Sequence, residues 1–383
     1  MKRWQTRRLG DLVEILSGFA FDSAHFSDAG DLPIVRIRDV VPGYSSTFYL
    51  GEYEEKFVIQ DGDLLIGMDG EFNRAKWQGG RALLNQRVCH IEPSNRELDS
   101  QYLFHFLPAA LKAIEDVTPF VTVKHLSVKT IRDIEIPLPP VAEQKRIAGI
   151  LDQADALRAL RRAALAKLDT LPQAIFADMF GDPVTNPKGW PRVRCADLCD
   201  RLTVGIVVKP ASYYAEHGVP ILRSLNVGPG FIRLDELVYA DPEDNSPALL
   251  KAQLKTCDIV LVRSGQPGTA AIIPQSLSGA FAVDILIATP RLNLVQPAFL
   301  CQFFNSAGGR RLVLSEQRGQ VQKHLNVGSL NEAQIPLPPL ALQEEFARRV
   351  AAVEQLRSAH RDALTKLDEL FAALQHRAFR GEL

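Results

Sequence analysis

Apolar and polar positions along this chain alternate in two distinct ways, and each way occurs twice. Two long stretches carry apolar residues at steps of three and four. The first has Ile147, Leu151, Ala154, Leu157, Ala164, Leu168 and Leu171; the second has Phe346, Val350, Val353, Leu356, Ala363, Leu367, Leu370 and Leu374. So narrow a stripe predicts long helices that pack along a seam rather than over a broad core face. One seam position is polar in each copy, Arg161 and His360. Two roles are open for this pair: fixing the register of an antiparallel helix pair about a pseudo-twofold axis, or reaching out to solvent along the aliphatic stem. Pro172 predicts a kink or an end in the first helix, whereas Phe371 at the matching position lets the second run on. At ~1.5 Å per residue, such a helix pair can serve as a ruler.

The second pattern is short. Residues 33–41, 59–68, 204–208, 219–225 and 257–263 are apolar or β-branched runs bounded by Gly, Pro and Asp, which predicts strands. Residues 100–114 and 297–304 predict short helices, with Pro297 suited to a first helical position. Between these globules and the long helices stand Ile136-Pro137-Leu138-Pro139-Pro140 and Ile335-Pro336-Leu337-Pro338-Pro339. Proline donates no backbone hydrogen bond and turns its predecessor away from the α region. Each run therefore predicts an extended segment that leaves a globule and then enters a helix.

The chain is thus a duplication. From Ile136 to Phe180 the copies match without a gap at a register of 199 residues, with nineteen of 45 positions identical, among them Leu157-Arg158 with Leu356-Arg357 and Lys167-Leu168-Asp169 with Lys366-Leu367-Asp368. Upstream, Pro33-Ile34-Val35-Arg36 matches Pro220-Ile221-Leu222-Arg223, Asp63 to Ile66 matches Asp258 to Leu261, and Lys124-His125 matches Lys323-His324. The apolar runs keep their order while the segments between them change length. That is one scaffold with different loops, and loops on a scaffold are where recognition usually resides. The pattern predicts an α+β fold: two pseudo-repeated mixed α/β globular domains separated by two long antiparallel coiled-coil helices. The predicted boundaries are 1–140, 141–182, 183–339 and 340–383.

Composition narrows the function. No apolar run approaches the ~20 residues of a membrane span, and the five cysteines lack framework spacing, which fits a reducing cytoplasm. Cys195 and Cys199 are a lone CxxxC, short of the four ligands of a structural zinc site. A formal net charge of −1 argues mildly against a DNA-binding protein that works alone. There is no adenine-methyltransferase Asn/Asp-Pro-Pro-Tyr/Phe motif and no phosphate loop. Asp39 with Glu54-x-Lys56 loosely fits a nuclease spacing, but chance matches to so short a pattern are common and Glu54-Glu55-Lys56 reads as a solvated face.

Two variable globules, each followed by Ile-Pro-Leu-Pro-Pro, a nearby glutamine (Gln144, Gln343) and a long helix, resemble the DNA specificity subunit of type I restriction-modification systems. Phe180-Gly181-Asp182-Pro183, Asn186-Pro187-Lys188-Gly189-Trp190 and the final Gln375 to Leu383 carry the same resemblance. One departure is that Glu143 of the first copy is Leu342 in the second. The resemblance implies two target recognition domains, each reading one half of a bipartite site in double-stranded DNA. It implies docking of two modification subunits that carry S-adenosylmethionine, and of two restriction subunits that use ATP and Mg. The chain itself would be non-catalytic, bind no cofactor, and have no membrane partner. Two other readings are an enzyme with its own recognition domains and a coiled-coil assembly scaffold.

Direct readout requires forked donors and amides: Arg or Lys for guanine, Asn or Gln for adenine. The first globule offers Asn73, Arg74 and Lys76 in a glycine-containing segment with Trp77, and Arg36 with Arg38 at a strand end. The second offers Arg263 and Gln266, and Arg223 with Asn226. Lys124 and Lys323 recur in both copies, so they are expected to serve something common to both, a phosphate or the scaffold.

Overall fold

The computed structural model describes residues 4–118, 124–244, 246–314 and 324–383. The chain divides into two compact units, Met1–Arg162 with Ala363–Leu383, and Ala163–Asp362. The divide falls inside both long helices.

In the first unit the main strands are β1 (Thr6–Arg8), β2 (Val13–Ser17), β3 (Leu32–Val35), β4 (Leu64–Gly67), β5 (Arg74–Lys76), β6 (Ala82–Leu84), β7 (Val88–Pro93) and β8 (Glu135–Pro137). A four-stranded sheet runs β2-β7-β4-β5, β1 pairs antiparallel with β8, and β3 runs parallel to β6. Helix α1 (Ser100–Val117) starts at Asp99, whose carboxylate accepts from the amides of Gln101 and Tyr102 at 3.0 Å each. Helix α2 (Val141–Phe180) begins in this unit. Its Ile147 and Leu151 enter one core with Leu9, Ile66, Leu103 and Leu107.

The second unit repeats the plan with β9 (Arg192–Arg194), β10 (Cys199–Val204), β11 (Val219–Leu222), β12 (Ile259–Val262), β13 (Ala270–Ile272), β14 (Phe281–Ala282), β15 (Ile285–Pro290) and β16 (Gln334–Pro336). Its sheet runs β10-β15-β12-β13, β9 pairs with β16, and β11 runs parallel to β14. Helix α3 (Pro297–Asn305) has Pro297 in its first turn, and α4 (Leu340–Ala378) begins here and ends in the first unit. The core holds Phe176, Phe180, Phe299 and Phe346.

The duplicated residues perform duplicated work. Gln144 is fully buried; its amide nitrogen donates to the Glu97 and Pro139 carbonyls, and its oxygen accepts from the Asp99 amide, all at 2.8 Å. Gln343 does the same for the Leu294 and Pro338 carbonyls and the Gln296 amide. Each glutamine thus ties the start of a long helix to the cap of the short helix in its own unit. Arg158 donates to Asp368 at 2.6 Å inside the first unit, and its equivalent Arg357 to Asp169 at 3.3 Å inside the second. In the second unit Asp169 meets Arg357 while Phe176 and Phe180 meet Phe346, so rising number on α2 meets falling number on α4 and the helices are antiparallel there.

Several predicted boundaries move. The strand expected over 33–41 stops at Val35, because the Asp39 carboxylate accepts from the Arg36 amide at 2.9 Å and starts a one-turn helix, Ile37–Val40. Asn226 acts likewise on the Arg223 amide at 3.0 Å and ends β11 at Leu222. The run 59–68 is two strands parted by a turn at Gly62, whose φ of +95° suits glycine. Residues 204–208 lie almost wholly beyond β10, with Ile206 making only an isolated bridge to Val283. Pro172 neither ends α2 nor interrupts it. The seam also departs from expectation: Leu157 and Leu356 are each 53% exposed. Their neighbours Arg158 and Arg357 turn inward instead, and Arg158 lies over the Phe371 ring, 4.3 Å from its centre. No helix among the described residues is long and apolar enough to cross a membrane.

Candidate nucleic-acid interface

In each unit three loops converge at one end of the four-stranded sheet. In the first unit they are the β4–β5 hairpin, the turn before β7, and the segment holding Lys124 and His125. His125 Nδ1 lies 2.7 Å from Asp69 Oδ1, and Arg87 reaches the same pair, with Nε 3.3 Å from Asp69 Oδ2 and Nη1 3.2 Å from His125 Nδ1. In the second unit His324 meets Ser264 Oγ at 2.8 Å and Arg263 Nη2 at 2.7 Å, and Arg263 Nη1 donates to Asp284 Oδ1 at 2.6 Å. A repeated histidine therefore meets the hairpin in both units, and an arginine ties the hairpin to the turn before the last sheet strand.

The proposed readers divide sharply. Arg38, Asn73 and Gln266 have exposed side chains, Asn73 and Gln266 at their hairpins. Arg263 is in place at its hairpin but committed to Asp284 and His324. Arg74 and Lys76 require correction. They lie on β5 and face α1: the Arg74 guanidinium stacks 3.5 Å from the Phe104 ring centre while its Nε donates to the Phe104 carbonyl, and Lys76 Nζ donates to Gln101. Burial pushes the Arg74 pKa down to about 10, against the pull of Asp155. Trp77, expected in a loop with them, is core, donating from Nε1 to the Gly80 carbonyl at 2.6 Å. Arg36 is held by Thr47 and Asp39, and Arg223 donates to the Glu236 carbonyl. Asn226 is fully buried, with its amide nitrogen on the Arg233 and Asp235 carbonyls, and so has nothing to offer a base. Lys124 Nζ donates to the Glu115 carbonyl at 2.6 Å, so of the two roles open to it the scaffold one is occupied. Lys323 lies outside the described residues.

Sequence reasoning did not single out Asp69, Arg87 or Asp284. They are remote in sequence from the Lys-His pair and meet it only through sheet pairing; the available signal was the duplicated histidine itself. Cys195 and Cys199 are both buried thiols, and among the described residues no group of three or more His, Cys, Asp or Glu is placed to hold a metal ion. Of the loose nuclease spacing, Asp39 caps a helix and Glu54 pairs with Lys56 at 2.6 Å on the surface.

Comparison with known proteins gives a consistent answer. A family model described as the type I restriction modification DNA specificity domain matches residues 1–170. The EcoBI specificity subunit of Escherichia coli is 30% identical over 99% of this chain and 86% of its own length. The MjaVIII specificity subunit of Methanocaldococcus jannaschii is 23% identical over 99% of this chain and 93% of its own. In fold, the chain resembles the type I restriction-modification S subunit from M. genitalium, at a TM-score of 0.55 and 14% identity over 98% of this chain and 96% of that one. It also resembles a chain from a structure concerned with complex assembly and conformational transition of the type I R-M system, at a TM-score of 0.57 and 20% identity over 100% and 99%. With the architecture duplicated and loops gathered at one end of each sheet, the chain belongs to the family of specificity subunits of type I restriction-modification systems, which recognise DNA sequence.

Proposed function

We propose that each unit reads one half of a bipartite site in double-stranded DNA, and that the chain does so as a non-catalytic subunit. The observation that carries this reading is the split between what is duplicated and what is not. The clamps of Gln144 and Gln343 and the ion pairs of Arg158 and Arg357 recur residue for residue. The loops at the end of each sheet differ in length and charge. A scaffold held constant under divergent loops is what reading two unlike half-sites requires.

The surfaces of α2 and α4 supply the other half of the proposal. Leu157, Leu160, Leu356 and Leu370 are large apolar side chains left exposed on them. They suit docking of two modification subunits that carry S-adenosylmethionine and methylate adenine, with two restriction subunits supplying ATP- and Mg-dependent steps. The chain itself would bind no cofactor.

Methylation mapping tests this in cells that express the chain with its modification subunit. The expected result is a two-part adenine-methylated motif that vanishes when this chain is withheld. A motif that persists without the chain, or methyl transfer by the purified chain alone, would overturn the reading.

A further inference from the structure

The histidine clusters of the two units carry opposite charges at their outer edge. In both units the turn before the last sheet strand ends in a residue with left-handed backbone. That residue is Arg87 at φ +71° before β7 and Asp284 at φ +50° before β15. The turns correspond: Gly18 donates to the Val88 carbonyl and Gly205 to the Ile285 carbonyl, and the second turn is one residue shorter. Non-glycine residues rarely adopt this backbone, and such strain tends to persist where it positions a functional group.

Exposure shows which group faces out. In the first unit the Arg87 side chain is 53% exposed and its partner Asp69 27%. In the second the Asp284 side chain is 50% exposed and its partner Arg263 17%. The inner and outer charges have therefore changed places around a histidine that both units keep. A group serving the phosphates, which are the same in any sequence, gains nothing from this inversion. An outward carboxylate would repel phosphate, whereas at a base edge it accepts from the cytosine amino group, as an outward guanidinium donates to guanine O6 and N7.

We infer that the last turn residue before the final sheet strand is a base-reading position in each unit, with Arg87 taking a guanine and Asp284 a cytosine. The inner partner holds each head group in place, and the histidine contacts Arg87 directly and Asp284 by way of Arg263. This rests on the reading of two half-sites given above and deepens it, naming one position in each.

The test uses the full chain in its complex with the modification subunit, as wild type, Arg87→Asn and Asp284→Asn. Asparagine tolerates left-handed backbone, so the turn survives substitution. Methylation mapping is expected to show one degenerate base in one half-motif for Arg87→Asn and in the other half for Asp284→Asn. Discrimination at that base should fall roughly 10- to 100-fold for Arg87→Asn, the range of a lost bidentate contact, and by less for Asp284→Asn, which loses a single acceptor. Unchanged motifs in both variants would overturn the inference while leaving the half-site reading intact. So would an equal loss over both halves in complexes whose thermal melts match wild type. A wild-type chain that directs no motif would remove the half-site reading, and this inference with it.

Discussion

Among single residues, chemistry that suits DNA is often used on the protein itself. Arg74 has the type and surroundings of a base reader, yet it is stacked on Phe104 under α1. Arg74→Ala should therefore lower the unfolding midpoint without altering the methylated motif, and a motif changed in one half would return Arg74 to the interface. Gln144 satisfies three buried backbone groups. Gln144→Ala should cost about 3 kcal/mol, given ~1–3 per stranded group, measured by urea unfolding; a loss below half a kilocalorie would show that water replaces the clamp. His105 is buried, with Nε2 2.7 Å from Asp152, and it also faces Arg74 and Asp155. Burial holds its pKa below the ordinary histidine value, and this outweighs the upward pull of Asp152. The unfolded chain, at about 6.5, then takes its proton first as pH falls. Stability is fully present above that value and declines below it. At the equivalent place in the second unit stands Gln302. His105→Gln should flatten the fall in unfolding midpoint between pH 6.5 and 5; identical curves for the two proteins would refute the assignment.

Among elements, the duplicated helix pairs explain why the heptad reading was right in kind and wrong in detail. The seam is apolar where a globule covers it, at Ile147, Leu151, Phe346 and Val353. Elsewhere its place is taken by inward arginines, whose stems pack while their heads pair with aspartates. Hydropathy alone assigns Leu157 and Leu356 to the seam, because a period of three and four does not record which side of a helix is occupied by a neighbour. Asp368 binds both Arg158 and Arg162, and Asp169 binds Arg357. Hydrogen exchange should accordingly show Asp368→Asn loosening the first unit by about 1 kcal/mol. Unchanged exchange in the first unit would mean that the shared carboxylate contributes nothing.

For the whole molecule, the last residues of the sequence complete the first unit. Phe379 packs tilted against Tyr102 and edge-on to Phe106, with ring centres 5.1 and 5.3 Å apart, as its repeat equivalent Phe180 packs on Phe299 at 5.0 Å. Removing residues 379–383 should weaken hydrogen-exchange protection in the first unit by about 2 kcal/mol, less than the ~3–5 of a fully buried Phe→Ala, and leave the second unit unchanged. Equal weakening of both would refute the division. The sequence by itself determined the duplication, the two long helices, the strand-rich globules and the family, because repeats, helical periodicity and proline punctuation are properties of the chain read in order. Only the tertiary structure decided that each unit is closed by helix from both copies, that Asn226 and Arg74 serve the scaffold, and that Arg87 and Asp284 stand at the loop end of their sheets. Those facts depend on which distant segments pair across a sheet. Burial, which separates a reading side chain from a supporting one, exists only after that pairing.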